Sequence, residues 1–170
     1  SDDPALLAFA QTHPDLSGRD ALNILALSYE IGARSGLALH ATVSDYHTSG
    51  AWNALAVAAI GCRLRSATPV QLREAMGIAE YHGPRSQMMR EIEHPTMLHD
   101  GSGMGALTGS MAALLALRGF EGAPAITAGK VARGRLADAD SFSSPNYSSA
   151  NLFRLPGAPI CRDPCQETER

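Results

Sequence analysis

The chain has 170 residues, of which 45% are hydrophobic, only 5% are aromatic and 18% are charged. This length suffices for one domain with a hydrophobic core, and a core of small and aliphatic residues favours packed helices over sheets. The formal net charge of −3 gives no electrostatic reason to expect nucleic acid or a membrane surface as a partner. Because no apolar stretch approaches about 18 residues, we also expect no membrane span.

The three cysteines argue against a zinc site. Cys62 lies in an apolar segment and is typical of a small core residue. Cys161 and Cys165 form a C-x3-C pair in a polar tail that offers no second pair of ligands. We therefore expect no bound metal and a reducing, cytoplasmic setting.

Apolar spacing predicts helices along most of the chain, and no segment alternates as a strand does. The first three helices are expected at residues 4–11, about 20–39 and about 51–66. The second follows a weak capping signal in which Ser17 stands three residues before Asp20. The third is an alanine-rich run whose first N–H groups could be capped by Thr48 or Ser49.

Two further helices are expected at residues 69–82 and about 104–118, with one short turn at residues 86–92 between them. The first of them has the strongest local signal, because Thr68 and Gln71 match a capping box with proline at the first helical position. Gly83 is expected to end that helix as a left-handed cap, with Pro84 following. Gly119 is expected to end the last helix.

The sequence thus predicts an all-α multi-helix bundle over residues 1–130. The remaining residues, 131–170, are expected to form an irregular or disordered tail. Residues 138–170 are rich in Ser, Pro, Asn and charge. Such a segment buries too little apolar surface to offset the entropy of ordering it.

Two histidine-bearing turns, each directly before an apolar helix, are the candidates for chemistry. His47 lies within residues 46–50, beside a predicted helix N-terminus, where the helix dipole favours anionic groups. The second turn contains His99 and the Gly-Ser-Gly run centred on Ser102, whose N–H groups could face an anion. A tight entry turn into the following helix explains that run at least as well.

Arg85 and Arg90 are candidate carboxylate ligands, because the guanidinium fork matches a carboxylate with two hydrogen bonds. Arg85 is the better candidate, since it follows a Gly-Pro turn. Surface salt bridges, for instance to Glu91 or Glu93, explain both arginines equally well.

Several phrases, in their order along the chain, resemble the MmgE/PrpD family. Residues 46–55 (YHTSGAWNAL) resemble a phrase of the type H-x-T-G that precedes an alanine-rich helix. Residues 81–97 form a second match. Residues 100–106 (DGSGMGA) and 119–124 (GFEGAP) resemble one branch of the family. The resemblance covers roughly residues 4–130.

The resemblance implies a helical domain that, together with a second α/β domain, encloses a small polycarboxylate without metal or organic cofactor. It also implies a homodimer. His47 matches the active-site histidine of the family and is predicted to act as general acid or base. His99 stands where the family commonly carries a lysine, and we predict it as a second catalytic residue. The predicted substrate-binding residues are Thr48, Arg85, Thr96 and Ser102.

Three functions follow from the resemblance as expectations. The first is a dehydratase-type lyase acting on a di- or tricarboxylate, and the second is an epimerase or racemase of a small dicarboxylate. The third is a non-catalytic helical remnant that associates with itself. Family members are considerably longer and carry an additional N-terminal segment and a lid domain. We therefore expect a truncated chain with weak or no activity on its own.

Overall fold

The computed structural model describes residues 2–94 and 97–127, and the statements on structure below refer to these residues. They form six helices and no strand, which confirms the predicted all-α class. The helices are α1 (Asp2–Ala10), α2 (Gly18–Thr42), α3 (Gly50–Leu64), α4 (Pro69–His82), α5 (Met89–Ile92) and α6 (Ser102–Leu117). The predicted tail at 131–170 and the predicted boundary at residue 130 lie outside the described residues.

Helix α3 runs through the centre of the bundle. Its segment from Ala54 to Cys62 is buried throughout, and α2, α4 and α6 surround it. The alanine-rich sequence explains this position, because small side chains on every face let three neighbours approach at once. The larger buried side chains Ile31, Leu55 and Ile60 fill the space between the helices.

Helices α3 and α6 approach each other so closely that their backbones are in contact. A Cβ atom on Gly105 would lie 2.7 Å from the carbonyl oxygen of Gly50, and one on Gly109 would lie 2.8 Å from Cβ of Val57. Both distances are below ordinary van der Waals contact, so glycine is required at both positions. This approach brings the N-termini of α3 and α6 side by side.

The predicted capping signals are confirmed at two helices. Ser17 Oγ accepts the N–H of Asp20 at 3.1 Å at the start of α2. At the start of α4, Thr68 and Gln71 exchange both bonds of a capping box, at 3.2 and 2.9 Å. Gly119 follows the end of α6, as predicted, and its φ of +84° is the left-handed conformation that glycine often adopts there.

The prediction for Gly83 is wrong in its conformation. Gly83 does end α4, but its φ of −60° and ψ of 141° are extended rather than left-handed. Pro84 explains the difference, because a proline ring restricts the preceding residue to extended conformations. A Cβ atom on Gly83 would also lie 2.8 Å from the carbonyl oxygen of Ala79. Glycine is therefore favoured here because a side chain would clash with the backbone, and not because the φ angle is positive.

Candidate active site

The turn that carries His47 is held against the loop after α4. His47 and Gln87 form an isolated antiparallel bridge. Within it the N–H of Thr48 donates to the carbonyl oxygen of Ser86 at 2.9 Å, and the N–H of Met88 donates to that of Tyr46 at 2.7 Å. These backbone bonds fix the direction of the turn independently of its side chains.

A third segment, the turn before α6, meets the first two at Gly50. A Cβ atom on Gly50 would overlap the carbonyl oxygen of Gly101 and would lie 2.6 Å from Cγ of Pro84. Gly50 therefore lies where all three segments touch. Because the three turns converge, the described residues predicted for the site lie in one region of the fold.

The carboxylate of Asp100 occupies the N-terminus of α3. Its Oδ1 accepts the backbone N–H of Ser49 at 2.7 Å, and its Oδ2 accepts a short hydrogen bond from Ser49 Oγ. Ser49 Oγ also lies 2.6 Å from Ser102 Oγ. One aspartate thus links the first turns of two helices that are distant in sequence.

Two expectations at this helix end are corrected. Neither Thr48 nor Ser49 caps α3 with its side chain, because Ser49 has helical angles and its hydroxyl turns towards Asp100. The favourable position for an anion beside the N-terminus of α3 is filled by a carboxylate of the protein itself. At the start of α6, by contrast, the N–H groups of Gly103 and Met104 have no acceptor within the described part of the chain.

His47 is half-buried, and its ring orientation is fixed by one hydrogen bond. Nδ1 lies 2.8 Å from the carbonyl oxygen of Asp45. A carbonyl can only accept, so Nδ1 carries the proton and Nε2 of the neutral ring holds a free lone pair. This is the tautomer that a general base requires.

Aromatic rings surround the start of the His47 turn. The ring of His40 lies 5.4 Å from that of Tyr46 and 5.0 Å from that of Trp52, between ring centroids. A Cβ atom on Gly36 would lie 3.2 Å from the Trp52 ring, so this glycine makes room for the indole. The three rings form an aromatic cluster beside Tyr46, the first residue of the His47 turn.

Thr48 carries a buried hydroxyl group without a hydrogen-bond partner. The residue is only 5% exposed, and its Oγ1 has no donor or acceptor among the described residues. A Cβ atom on Gly101 would lie 2.8 Å from this oxygen. Leaving a buried hydroxyl unpaired is unfavourable by about 1–3 kcal/mol.

Arg85 forms an ion pair with Glu80, and not with the predicted alternatives Glu91 or Glu93. The Arg85 nitrogen lies 3.4 Å from Oε1 of Glu80, which also accepts the backbone N–H of Thr127 at 2.7 Å and a short bond from the Thr127 hydroxyl. The sequence contains a signal for this pair. A buried carboxylate in the last turn of a helix opposes the helix dipole and therefore requires donors.

For the remaining predicted site residues the structure shows fewer contacts or none. Ser102 belongs to the hydroxyl cluster with Ser49, and His99 is exposed directly before Asp100. Thr96 lies outside the described residues. Sequence reasoning missed the linking roles of Ser49 and Asp100, because neither follows from local spacing.

The described residues contain no group of three or more His, Cys, Asp or Glu side chains that could hold a metal ion. None of their helices combines the length and the hydropathy needed to cross a bilayer. The expected absence of cofactors remains a prediction.

Comparison with known proteins identifies the family. A model of the MmgE/PrpD N-terminal domain matches residues 3–139. No curated protein and no solved structure matches the chain. The family match covers most of the 170 residues and includes all three converging turns. The chain therefore belongs to the MmgE/PrpD family.

Proposed function

We propose that the chain carries the active site of a dehydratase-type lyase that acts on a small di- or tricarboxylate. The observation that supports this best is the fixed orientation of His47, whose Nδ1 is bound to the Asp45 carbonyl and whose Nε2 is free. A base with a free Nε2 suits the removal of a proton from a carbon next to a carboxylate.

In the proposed elimination, Nε2 of His47 takes the proton from the carbon next to the carboxylate. The electron pair of the broken C–H bond forms a carbon–carbon double bond, and hydroxide leaves from the adjacent carbon. His99 in its protonated form gives a proton to the departing oxygen, so that water is released. Charge that develops on the substrate carboxylate is stabilised by hydrogen-bond donors placed nearby.

Candidate donors for the substrate carboxylates lie in all three turns. Arg85 has five N–H donors, of which one pairs with Glu80, and its side chain is 41% exposed. The free N–H groups at the start of α6 and the hydroxyl groups of Ser102 and Thr48 complete the proposed set, together with Thr96.

The proposed reaction has two readouts that separate it from an epimerase. Incubation with 2-methylcitrate or citrate in heavy water, followed by proton NMR, detects both an unsaturated product and exchange of the α-proton. Turnover by this chain alone is expected to be weak at most, and its product is expected to be the unsaturated acid. Exchange or inversion without a double bond would assign the epimerase reaction instead.

His13 provides a matched control for His47. Both rings are half-buried, and in both Nδ1 lies 2.8 Å from a backbone carbonyl oxygen, that of Phe9 for His13. We expect His47→Gln to abolish turnover and His13→Gln to retain it. Equal turnover in both variants would reject His47 as the base. We also propose a cytoplasmic location, in keeping with the free, buried thiol of Cys62.

A further inference from the structure

The segment of residues 122–127, here called the α4 strap, lies directly against helix α4. A Cβ atom on Gly77 would overlap the carbonyl oxygen of Ala123, and one on Gly122 would lie 2.6 Å from the carbonyl oxygen of Glu74. The strap and the helix are therefore in backbone contact, which glycine permits at both positions. The N–H of Gly122 also donates to Oε2 of Glu74 at 2.7 Å. Packing and a hydrogen bond thus place the start of the strap on α4.

The other end of the α4 strap is bound to Glu80. One oxygen of this carboxylate, Oε1, accepts the N–H of Thr127 at 2.7 Å and a short hydrogen bond from the Thr127 hydroxyl. Both residues are buried. A buried carboxylate with several donors is held in one position, because rotation away from them would leave polar groups unpaired. Thr127 therefore determines where the Glu80 carboxylate lies.

The same oxygen of Glu80 is the partner of Arg85. Nη2 of Arg85 lies 3.4 Å from Oε1, and the Arg85 side chain is 41% exposed. This contact uses one N–H of the guanidinium, which has several more to offer a ligand. A ligand carboxylate can therefore form two hydrogen bonds with Arg85 while Glu80 keeps its own contact.

The backbone beside Arg85 is fixed from another direction, by the turn that carries the candidate base. The carbonyl oxygen of Ser86 accepts the N–H of Thr48 at 2.9 Å. Glu80 thus holds the tip of a side chain whose base is tied to that turn. An arginine restrained at both ends loses less conformational freedom when it binds a ligand than one that moves freely in solvent.

We propose that Glu80, held in place by Thr127, is a positioning residue that orients the Arg85 guanidinium for a substrate carboxylate. The α4 strap thereby contributes to substrate binding through Glu80. This role rests on the proposed function, in which Arg85 binds a substrate carboxylate. Loss of the orientation is expected to weaken the binding of a polycarboxylate by up to about tenfold.

The order of the Arg85 side chain tests the positioning role without any ligand. Nitrogen-15 relaxation of the arginine Nε–H groups measures their motion on the picosecond-to-nanosecond timescale. Arg73 is the internal reference for a loosely held arginine, because it lies on α4, is 64% exposed and is 3.9 Å from Glu74. We expect Arg85 to be more rigid than Arg73 in the wild-type chain. Equal mobility of the two arginines would overturn the proposal.

Two substitutions remove the proposed restraint in different ways. Glu80→Gln removes the charge that pairs with Arg85, and we expect Arg85 to become as mobile as Arg73. Thr127→Val removes one donor to Glu80 at nearly constant volume, so the mobility of Arg85 should be intermediate, and Thr127→Ser should restore the wild-type value. Circular dichroism establishes that each variant remains helical. If Glu80→Gln does not fold, the comparison of the two Thr127 variants still decides. Wild-type order of Arg85 in Thr127→Val would contradict the role of the α4 strap.

Glu74→Gln is the matched control, because Glu74 binds the same strap at Gly122 and forms no bond with Arg85 in the described part of the chain. We expect Arg85 to stay rigid in this variant. If Arg85 becomes as mobile in Glu74→Gln as in Glu80→Gln, general loosening of the strap, and not the Glu80 carboxylate, controls the arginine. That result would reject the proposal.

Calorimetric titration with citrate separates this role from the proposed function. The Thr127 variants are suited to it, since they leave the net charge unchanged, whereas Glu80→Gln also removes a negative charge that repels citrate. We expect weaker binding in Thr127→Val, wild-type affinity in Thr127→Ser and the largest loss in Arg85→Ala. A loss in Arg85→Ala alone would overturn the positioning role and keep the proposed function. Equal citrate binding by wild type and Arg85→Ala would instead reject Arg85 as a carboxylate ligand.

Discussion

The carboxylate of Asp100 accepts the backbone N–H of Ser49 at 2.7 Å, across 51 positions of sequence. This bond gives a backbone N–H group at the start of α3 an acceptor from a residue that directly precedes α6. The two histidine turns therefore cannot move independently, because each helix start is tied to the other. The arrangement replaces a local cap by a tertiary one.

Removal of the Asp100 carboxylate should destabilise the fold. We expect Asp100→Ala to lower the free energy of unfolding by about 1–2 kcal/mol, because it leaves the Ser49 N–H and a helix dipole unsatisfied. Asp100→Asn keeps an acceptor without the charge and should lose less. Urea denaturation measures the free energy of unfolding of both variants, and Asp15→Ala is the control at an exposed carboxylate. Equal midpoints for Asp100→Ala and Asp15→Ala would contradict the capping role.

Two glycines of α6 should respond oppositely to alanine. At Gly109 a Cβ atom would lie 2.8 Å from Cβ of Val57 and 2.9 Å from the backbone nitrogen of Ala58. We expect Gly109→Ala to lower the free energy of unfolding by about 1–3 kcal/mol, as overpacking of a core does.

Gly103 is the matched control, since a Cβ atom there meets nothing within 4 Å. Alanine removes backbone entropy from the unfolded chain, so Gly103→Ala should raise the free energy of unfolding by up to about 1 kcal/mol. Thermal melts followed by circular dichroism compare the two variants. Destabilisation by both, or by neither, would show that the close contact of α3 and α6 is not as described.

The ion pair between Glu80 and Arg85 should be energetically asymmetric. Glu80 is buried and accepts the N–H and hydroxyl groups of Thr127 as well as the guanidinium. We expect Glu80→Ala to lower the free energy of unfolding by about 2–3 kcal/mol, because several donors lose their acceptor. Arg85→Ala should lower it by less than about 1 kcal/mol, since this side chain is 41% exposed and solvent screens its ion pair.

Chemical denaturation of the two single variants and of the double variant measures this asymmetry. The double variant also gives the coupling energy of the pair. A loss in Arg85→Ala as large as that in Glu80→Ala would mean that the exposed guanidinium supplies most of the stability.

Alkaline pH should weaken the fold through Cys62. Burial raises the pKa of its thiol from 9.0 to about 11. The folded state therefore holds the proton more tightly than the unfolded state. The stability that this protonated thiol contributes to the fold is complete below pH 9.0 and is lost as the pH rises to about 11. A shift of this size corresponds to about 3 kcal/mol.

The measurement is the urea midpoint of wild type and Cys62→Ala as a function of pH. Any other group that titrates in the same range is present in both proteins and cancels in the comparison. We expect the wild-type midpoint to fall more steeply than that of Cys62→Ala over this interval. Parallel curves would indicate that the thiol does not titrate with unfolding.

The sequence determined the helices, because the signals for a helix are local. Ser17, Thr68 and Gly119 act on groups within a few residues, and the alanine-rich run of α3 predicts burial from its own composition. The family was also predictable, since its phrases are stretches of neighbouring residues. Where a helix end depends on another segment, local reasoning failed, as it did at Ser49. The error at Gly83 was different, because it overlooked the local effect of Pro84.

Only the tertiary structure decided which groups meet. Asp100 lies 51 residues from Ser49, and Glu80 meets Thr127 across 47 residues, distances that no periodicity encodes. Both pairs depend on how closely α3, α4 and α6 approach, which glycine and alanine permit without specifying a register. The family phrase in the sequence identified His47 as a candidate base, whereas packing of the backbones decided that a carboxylate of the protein itself occupies the adjacent helix end.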